Sequence, residues 1–151
     1  MSERRSELNI DKDARRSTRS VTSARALHGL AVGMRRIRLE EFEEPYGMPE
    51  RERSAYRRRF ITLFADDESA RRGGLGMVTR VTNALGEQYA LKVLLLPERA
   101  DGEEDGSYDA RLTAARAAFR AEYESHRAVS GFKGFPRLYG YALVDGCPAM
   151  V

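Results

Sequence analysis

The chain has one cysteine, Cys147, in 151 residues, which excludes an internal disulfide framework and any cysteine-based metal cluster. A reducing, cytoplasmic setting is the expectation that follows. Histidine is nearly as scarce, with only His28 and His126. No apolar run reaches the ~20 residues that cross a bilayer as a helix, and the arginine-rich start lacks the apolar stretch of a secretory signal. A soluble chain is therefore expected, without a membrane segment. With 42% apolar and 32% charged residues, it has material for one modest core carrying polar extensions, and no room for a second large domain.

The charge that is present is unevenly placed. Residues 1–60 hold 15 basic residues against 10 acidic ones, and residues 61–151 hold 11 against 13. The first stretch, "MSERRSELNIDKDARRSTRSVTSAR", has almost no apolar periodicity and cannot bury enough surface to offset chain entropy. It predicts a mobile basic arm over residues 1–25. The following segment mixes apolar residues with charge blocks and is punctuated by Gly29, Gly33, Pro45, Gly47 and Pro49. It admits short helices or strands, and residues 1–59 as a whole read as a basic, partly disordered extension. Its arginines alternate with acids and lack interleaved aromatics, which favours a solvated or partner-binding face over nucleic-acid binding.

From Met77 the pattern sharpens. "MVTRVT" alternates apolar and polar residues, "NALGE" is a turn signal, and "QYALKVLLL" resumes the apolar character, which together predict a β-hairpin. Pro97 stops the second strand and a polar loop follows. "ARLTAARAAFRAEYESHRAVS" predicts a helix of about five turns ending at Gly131. "FPRLYGYALV", the turn "DG" and "CPAMV" predict a second hairpin. The order is strand, strand, helix, strand, strand, with an earlier strand, "FADDESA", before the glycines. The fold class is α+β, a twisted antiparallel sheet with one helix against it, over residues 60–151.

Gly73, Gly74 and Gly76 lie at the entrance of the first hairpin, not at the start of a helix. That placement excludes a dinucleotide fingerprint, and no Gly-Lys-Ser/Thr follows to make a Walker loop. An ordinary flexible loop and a phosphate-approaching flap both fit, since glycine lets backbone N–H groups near an oxyanion. Lys92 stands in the apolar strand "YALKVLLL", where alternation puts Ala90, Lys92 and Leu94 on one face and Leu91, Val93 and Leu95 on the other. An unpaired ammonium there is costly to desolvate, so Lys92 either snorkels from an edge strand or has an acidic partner. On the helix, Leu112, Ala115, Phe119, His126 and Val129 recur on one face, and Glu122 falls on that face while Glu124 points elsewhere. A buried-face carboxylate and a buried-face ammonium are each unfavourable alone and reasonable together.

Glycine flap, strand lysine and inward helical glutamate, in that order, resemble the N-terminal lobe of the protein kinase family. The likeness covers about Phe64 to Val151. "GGLGMV" is similar to the family's glycine-rich loop, which implies that Gly73 and Gly76 are its second and third glycines, that Leu75 stands at its usual aromatic tip, that Gly74 also lies against the nucleotide, and that Val78 packs on adenine. "YALK" is similar to the family's Val-Ala-Ile-Lys strand, implying Ala90 above the adenine and Lys92 against the α- and β-phosphates. Glu122 matches the helical glutamate that holds this lysine. The departures are Arg71 at the place of the first glycine, and the absence of a His-Arg-Asp or Asp-Phe-Gly sequence. The resemblance thus implies an ATP-binding lobe, missing its C-terminal kinase lobe. The whole would transfer phosphate from ATP with magnesium to Ser or Thr of a protein substrate, and this chain would hold no magnesium ligand and be inactive alone. Two other readings remain open, a pseudokinase or regulatory nucleotide-binding module, and an arginine-rich adaptor for an acidic partner or nucleic acid.

Overall fold

A computed structural model describes residues 34–151. The mobile arm expected over residues 1–25 lies outside the described residues. Seven strands and two helices follow in the order β1 (Arg35–Arg38), β2 (Glu40–Glu43), α1 (Glu50–Arg58), β3 (Thr62–Arg72), β4 (Gly76–Asn83), β5 (Gln88–Leu94), α2 (Asp105–Val129), β6 (Tyr141–Val144) and β7 (Cys147–Met150). The fold is α+β, and its strands make one antiparallel sheet in the order β1-β3-β4-β5-β7-β6-β2. β1 and β2 lie at opposite ends of that order, yet only Leu39 separates them. The sheet therefore curls until its two edges approach each other, and the Leu39 N–H, bonded to Ile61 O at 2.9 Å, extends the β1–β3 ladder up to the joint.

The structure differs from the sequence-based organisation in one respect. Arg35–Arg58, expected within a loosely ordered extension, contributes two strands and a second helix to the same body as residues 60–151. The reason is a few inward side chains. β1 and β2 each bury a single residue, Ile37 and Phe42, and Leu39 between them is 3% exposed. These join Leu63, Ala65, Val81, Leu91, Ala142 and Ala149 inside the curl. Phe60 is the hub, with Phe42 stacked on it at 5.7 Å between centroids and Tyr56, Tyr89 and Tyr139 tilted around it. Each such ring pair adds roughly 0.5–1.5 kcal/mol beyond the area it buries. The Phe42 ring lies so close over Gly140 that a Cβ there would meet it at 2.2 Å.

The acidic strand also has a local explanation. Only Leu63–Ala65 of β3 are buried, Leu63 and Ala65 of them facing the core, and the ladder with β4 breaks between Asp66 and Arg71. Ser69 fills the break, its hydroxyl donating to Asp66 O and accepting from Arg80 N. The exposed acids then pair sideways, Asp66 with Arg80 at 2.8 Å and Asp67 with Arg35 at 2.9 Å. Asp145 and Gly146 both take positive φ in the two-residue turn between β6 and β7, the turn type that Asp-Gly favours.

A second, smaller core lies between the sheet and α2, made by Leu94, Phe119, Tyr123, Leu138 and Met150. The helix buries Phe119 as the periodicity predicts. Its other buried residue is Tyr123, which the predicted apolar face omits, while Leu112, His126 and Val129 are only half-buried. Gly131, at φ +92°, follows the helix end.

Candidate functional site

Strand pairing fixes the first part of the site. Val78 on β4 stands opposite Lys92 on β5, and Arg80 opposite Ala90. Along β5, Leu91 points into the curled sheet and Leu94 lies under α2, so Lys92 emerges where the helix begins to cover the sheet. One helical turn beyond Phe119, Glu122 faces it. The ammonium Nζ of Lys92 donates to Glu122 Oε2 at 2.5 Å, with the two side chains 18% and 38% exposed. The carboxylate and the ammonium that the two registers direct inward are thus in contact. Glu124 pairs instead with Arg120 and Arg127, both at 2.8 Å.

The pair sits in the wall of a cleft of about 370 Å³. Val78, Ala90 and Met150 give it an apolar lining, Lys92 and Glu122 a charged side, and Tyr139 and Leu138 close it below the helix. His126 also reaches this cleft, its Nε2 lying 3.0 Å from Pro136 O. The histidine ties the end of α2 to the following loop. A neighbouring open groove continues along the same strands past Val78 and Ala90 to Arg71 and Arg80.

The glycines divide. Gly73 and Gly76 close the β3–β4 turn, with Gly73 N donating to Gly76 O at 2.6 Å. Gly76 has a packing reason for being glycine, because a Cβ there would lie 2.2 Å from Val93 O. At Gly73 a Cβ would fall 3.7 Å from Lys92 Cε, which places this backbone against the lysine stem. Gly74 has open space around it. Leu75 folds down onto the core beneath α2, and its carbonyl accepts from Leu95 N at 3.2 Å. Of the residues singled out by sequence, Val78, Ala90, Lys92 and Glu122 share the cleft and Gly73 adjoins Lys92. Gly74, Leu75 and Gly76 do not line it.

Sequence reasoning missed three contributors. Met150 and Tyr139 reach the cleft only because β7 pairs with β5 and Tyr139 N bonds Val151 O, long-range pairings that no local pattern reveals. Tyr123 supports Glu122 from the next position. It is 0% exposed and its hydroxyl has no hydrogen-bond partner among the described residues, so burial pushes its pKa up to about 12. An aromatic four residues after Phe119 was the available signal.

Among the described residues there is no helix long and apolar enough to cross a membrane, and no group of three His, Cys, Asp or Glu residues placed to hold a metal ion. Comparisons with models of protein families, with curated proteins and with solved structures give no match for this chain.

Proposed function

We propose that this chain is the ATP-cradling lobe of a protein kinase-type enzyme, working in the complete protein in the transfer of phosphate to Ser or Thr hydroxyls. The observation that carries the reading is the Lys92–Glu122 contact at the side of an apolar cleft. A carboxylate that holds the ammonium in one place presents its remaining N–H donors to phosphate oxygens through charge-assisted hydrogen bonds. Val78, Ala90 and Met150 offer an apolar surface suited to a purine face. Gly73 brings uncluttered backbone beside the ammonium, where phosphates would lie.

Magnesium does not fit the residues present, since the described chain gathers no acidic ligand set, and no step is assigned to it. Nor does the sequence contain His-Arg-Asp or Asp-Phe-Gly, so these 151 residues bind and orient without supplying a base. A regulatory nucleotide-binding role is the second reading. Two observations favour it, Arg71 in place of a glycine and Leu75 packed down onto the core. The adaptor reading rests on the N-terminal arm, which lies outside the described residues; among the described arginines, Arg53, Arg57 and Arg59 are engaged by Glu44, Glu50 and Glu87 of the chain itself. A cytoplasmic location remains part of the proposal.

Titration with ATP followed by amide chemical shifts tests the proposal. Shifts are expected at Gly73, Val78 and Ala90–Lys92, with weak affinity, on the order of 1 mM, because an open cleft encloses a ligand poorly. Lys92→Met should abolish them. Shifts confined to arginine-rich surfaces, unaffected by Lys92→Met, would overturn it.

A further inference from the structure

α2 is lightly attached to the sheet, since only Phe119 and Tyr123 of its 25 residues are buried. A second grip comes from the chain segment that leaves β2. Glu43 accepts two hydrogen bonds from Arg120, at 3.1 and 3.0 Å, in a bidentate pair. The Arg120 guanidinium also lies over the rings of Tyr123 and Tyr141, at 4.9 and 4.6 Å, and the Glu43 bond is the first cause of its raised pKa. Two residues on, Pro45 O accepts from Arg127 at 3.1 Å. Tyr46 Oη then donates to Arg127 O at 3.0 Å, a carbonyl at the helix end whose internal bond, from Ser130 N, is long at 3.4 Å.

The other side of this segment is firmly held. Phe42 is stacked on Phe60 inside the curl, and Glu44 is ion-paired to Arg57 and Arg53 of α1. A rigidly anchored strap therefore crosses the last turns of α2 and grips it at Arg120 and Arg127. Glu122 lies between those two points. Each exposed pair is weak alone, but a helix with two buried side chains needs little bias to favour one position over another.

We propose that the Glu43–Tyr46 strap sets the position of α2 and through it the Lys92–Glu122 contact, making Glu43, Arg120 and Tyr46 positioning residues for the site. The inference rests on Lys92 and Glu122 being the functional pair, but its test does not require nucleotide. Lys92 is one of three lysines in the chain, with Lys12 and Lys133, so acylation by an amine-reactive acetate ester can be followed at each by mass spectrometry. Lys133 serves as the internal reference. Loss of the carboxylate partner frees the amine from its hydrogen bond and opens the site, and both raise the rate.

Glu122→Gln defines the released limit, expected to react about threefold faster than wild type at Lys92, the order of effect of losing one net hydrogen bond. Glu43→Gln combined with Tyr46→Phe should move Lys92 most of the way to that limit while Lys133 is unchanged. Arg35→Gln, which breaks an exposed pair in which α2 takes no part, should leave Lys92 at the wild-type rate. A wild-type Lys92 rate in the Glu43/Tyr46 double variant would overturn the proposal, as would acceleration in Arg35→Gln matching that of the double variant. If the rates move as expected while ATP shifts no amide, the strap stands and the nucleotide reading falls.

Discussion

The interior of the curled sheet and the layer beneath α2 are built from similar residues to different depths. Inside the curl, Phe60 and eleven other buried residues, drawn from all seven strands and the positions flanking them, pack together, and five aromatic rings meet there. Under α2, five buried residues do the whole work, and one of them, Tyr123, carries a buried hydroxyl without a partner. The charged pair of the candidate site belongs to the thin layer. A functional contact placed there rests on a scaffold that resists deformation on one side and on a helix that can shift on the other.

Truncation separates the two regions most clearly. Phe60→Ala should cost about 3–5 kcal/mol and lower the stability of every strand together, since the hub of the interior is lost. Phe119→Ala should cost about as much by volume, but hydrogen exchange should rise first in α2, with β3 and β4 still protected. Equal acceleration of exchange in α2 and β4 by Phe119→Ala would mean that the two layers are one cooperative unit.

The second test lies on their border, at the glycine turn. Gly76→Ala must push a methyl into Val93 O and should cost about 1–3 kcal/mol, the range for overpacked sites. Gly74→Ala, in open space, should change stability little. Similar melting temperatures for the two variants would remove the packing explanation for Gly76.

The smallest effect is expected at Tyr123. Removing an unpartnered buried hydroxyl should stabilise the chain, so Tyr123→Phe should raise stability by roughly 1 kcal/mol. Destabilisation would show that the hydroxyl is satisfied in solution. The gain should be seen in denaturant midpoint at neutral pH, where this tyrosine is neutral, its pKa being raised to about 12 by burial. The folded pKa lies above the ordinary value of 10.0. Ionisation therefore opposes the fold only above that ordinary value, and wild type should lose stability relative to Tyr123→Phe as alkaline pH is approached.

What the sequence made legible was local. Both hairpins, the long helix and the inward register of Glu122 follow from alternation and helical spacing, which act over a few residues. The role of Arg35–Arg58 was not legible, because β1 and β2 each show one inward side chain, Ile37 or Phe42, among charges. Their partners lie far along the chain, Arg36 opposite Phe64 and Glu40 opposite Leu143. Tyr123 escaped because the face was traced through Glu122 and His126, whereas the packed stripe runs through Phe119 and Tyr123. The glycines were read as one motif, yet Gly76 answers to Val93 and Gly73 to Lys92.

The single-residue joint at Leu39 has a consequence for how the chain comes together during synthesis. β1 can dock as soon as β3 has emerged, but β2, bonded to it through one residue, has its partner in β6, on the far side of α2. Closure of the curl must wait until residues 141–150 are out of the ribosome. Until then Phe42 lacks Gly140 beneath its ring, and an unpaired β2 edge stays open to neighbouring chains. The last step of folding is thus written into the first of the described strands.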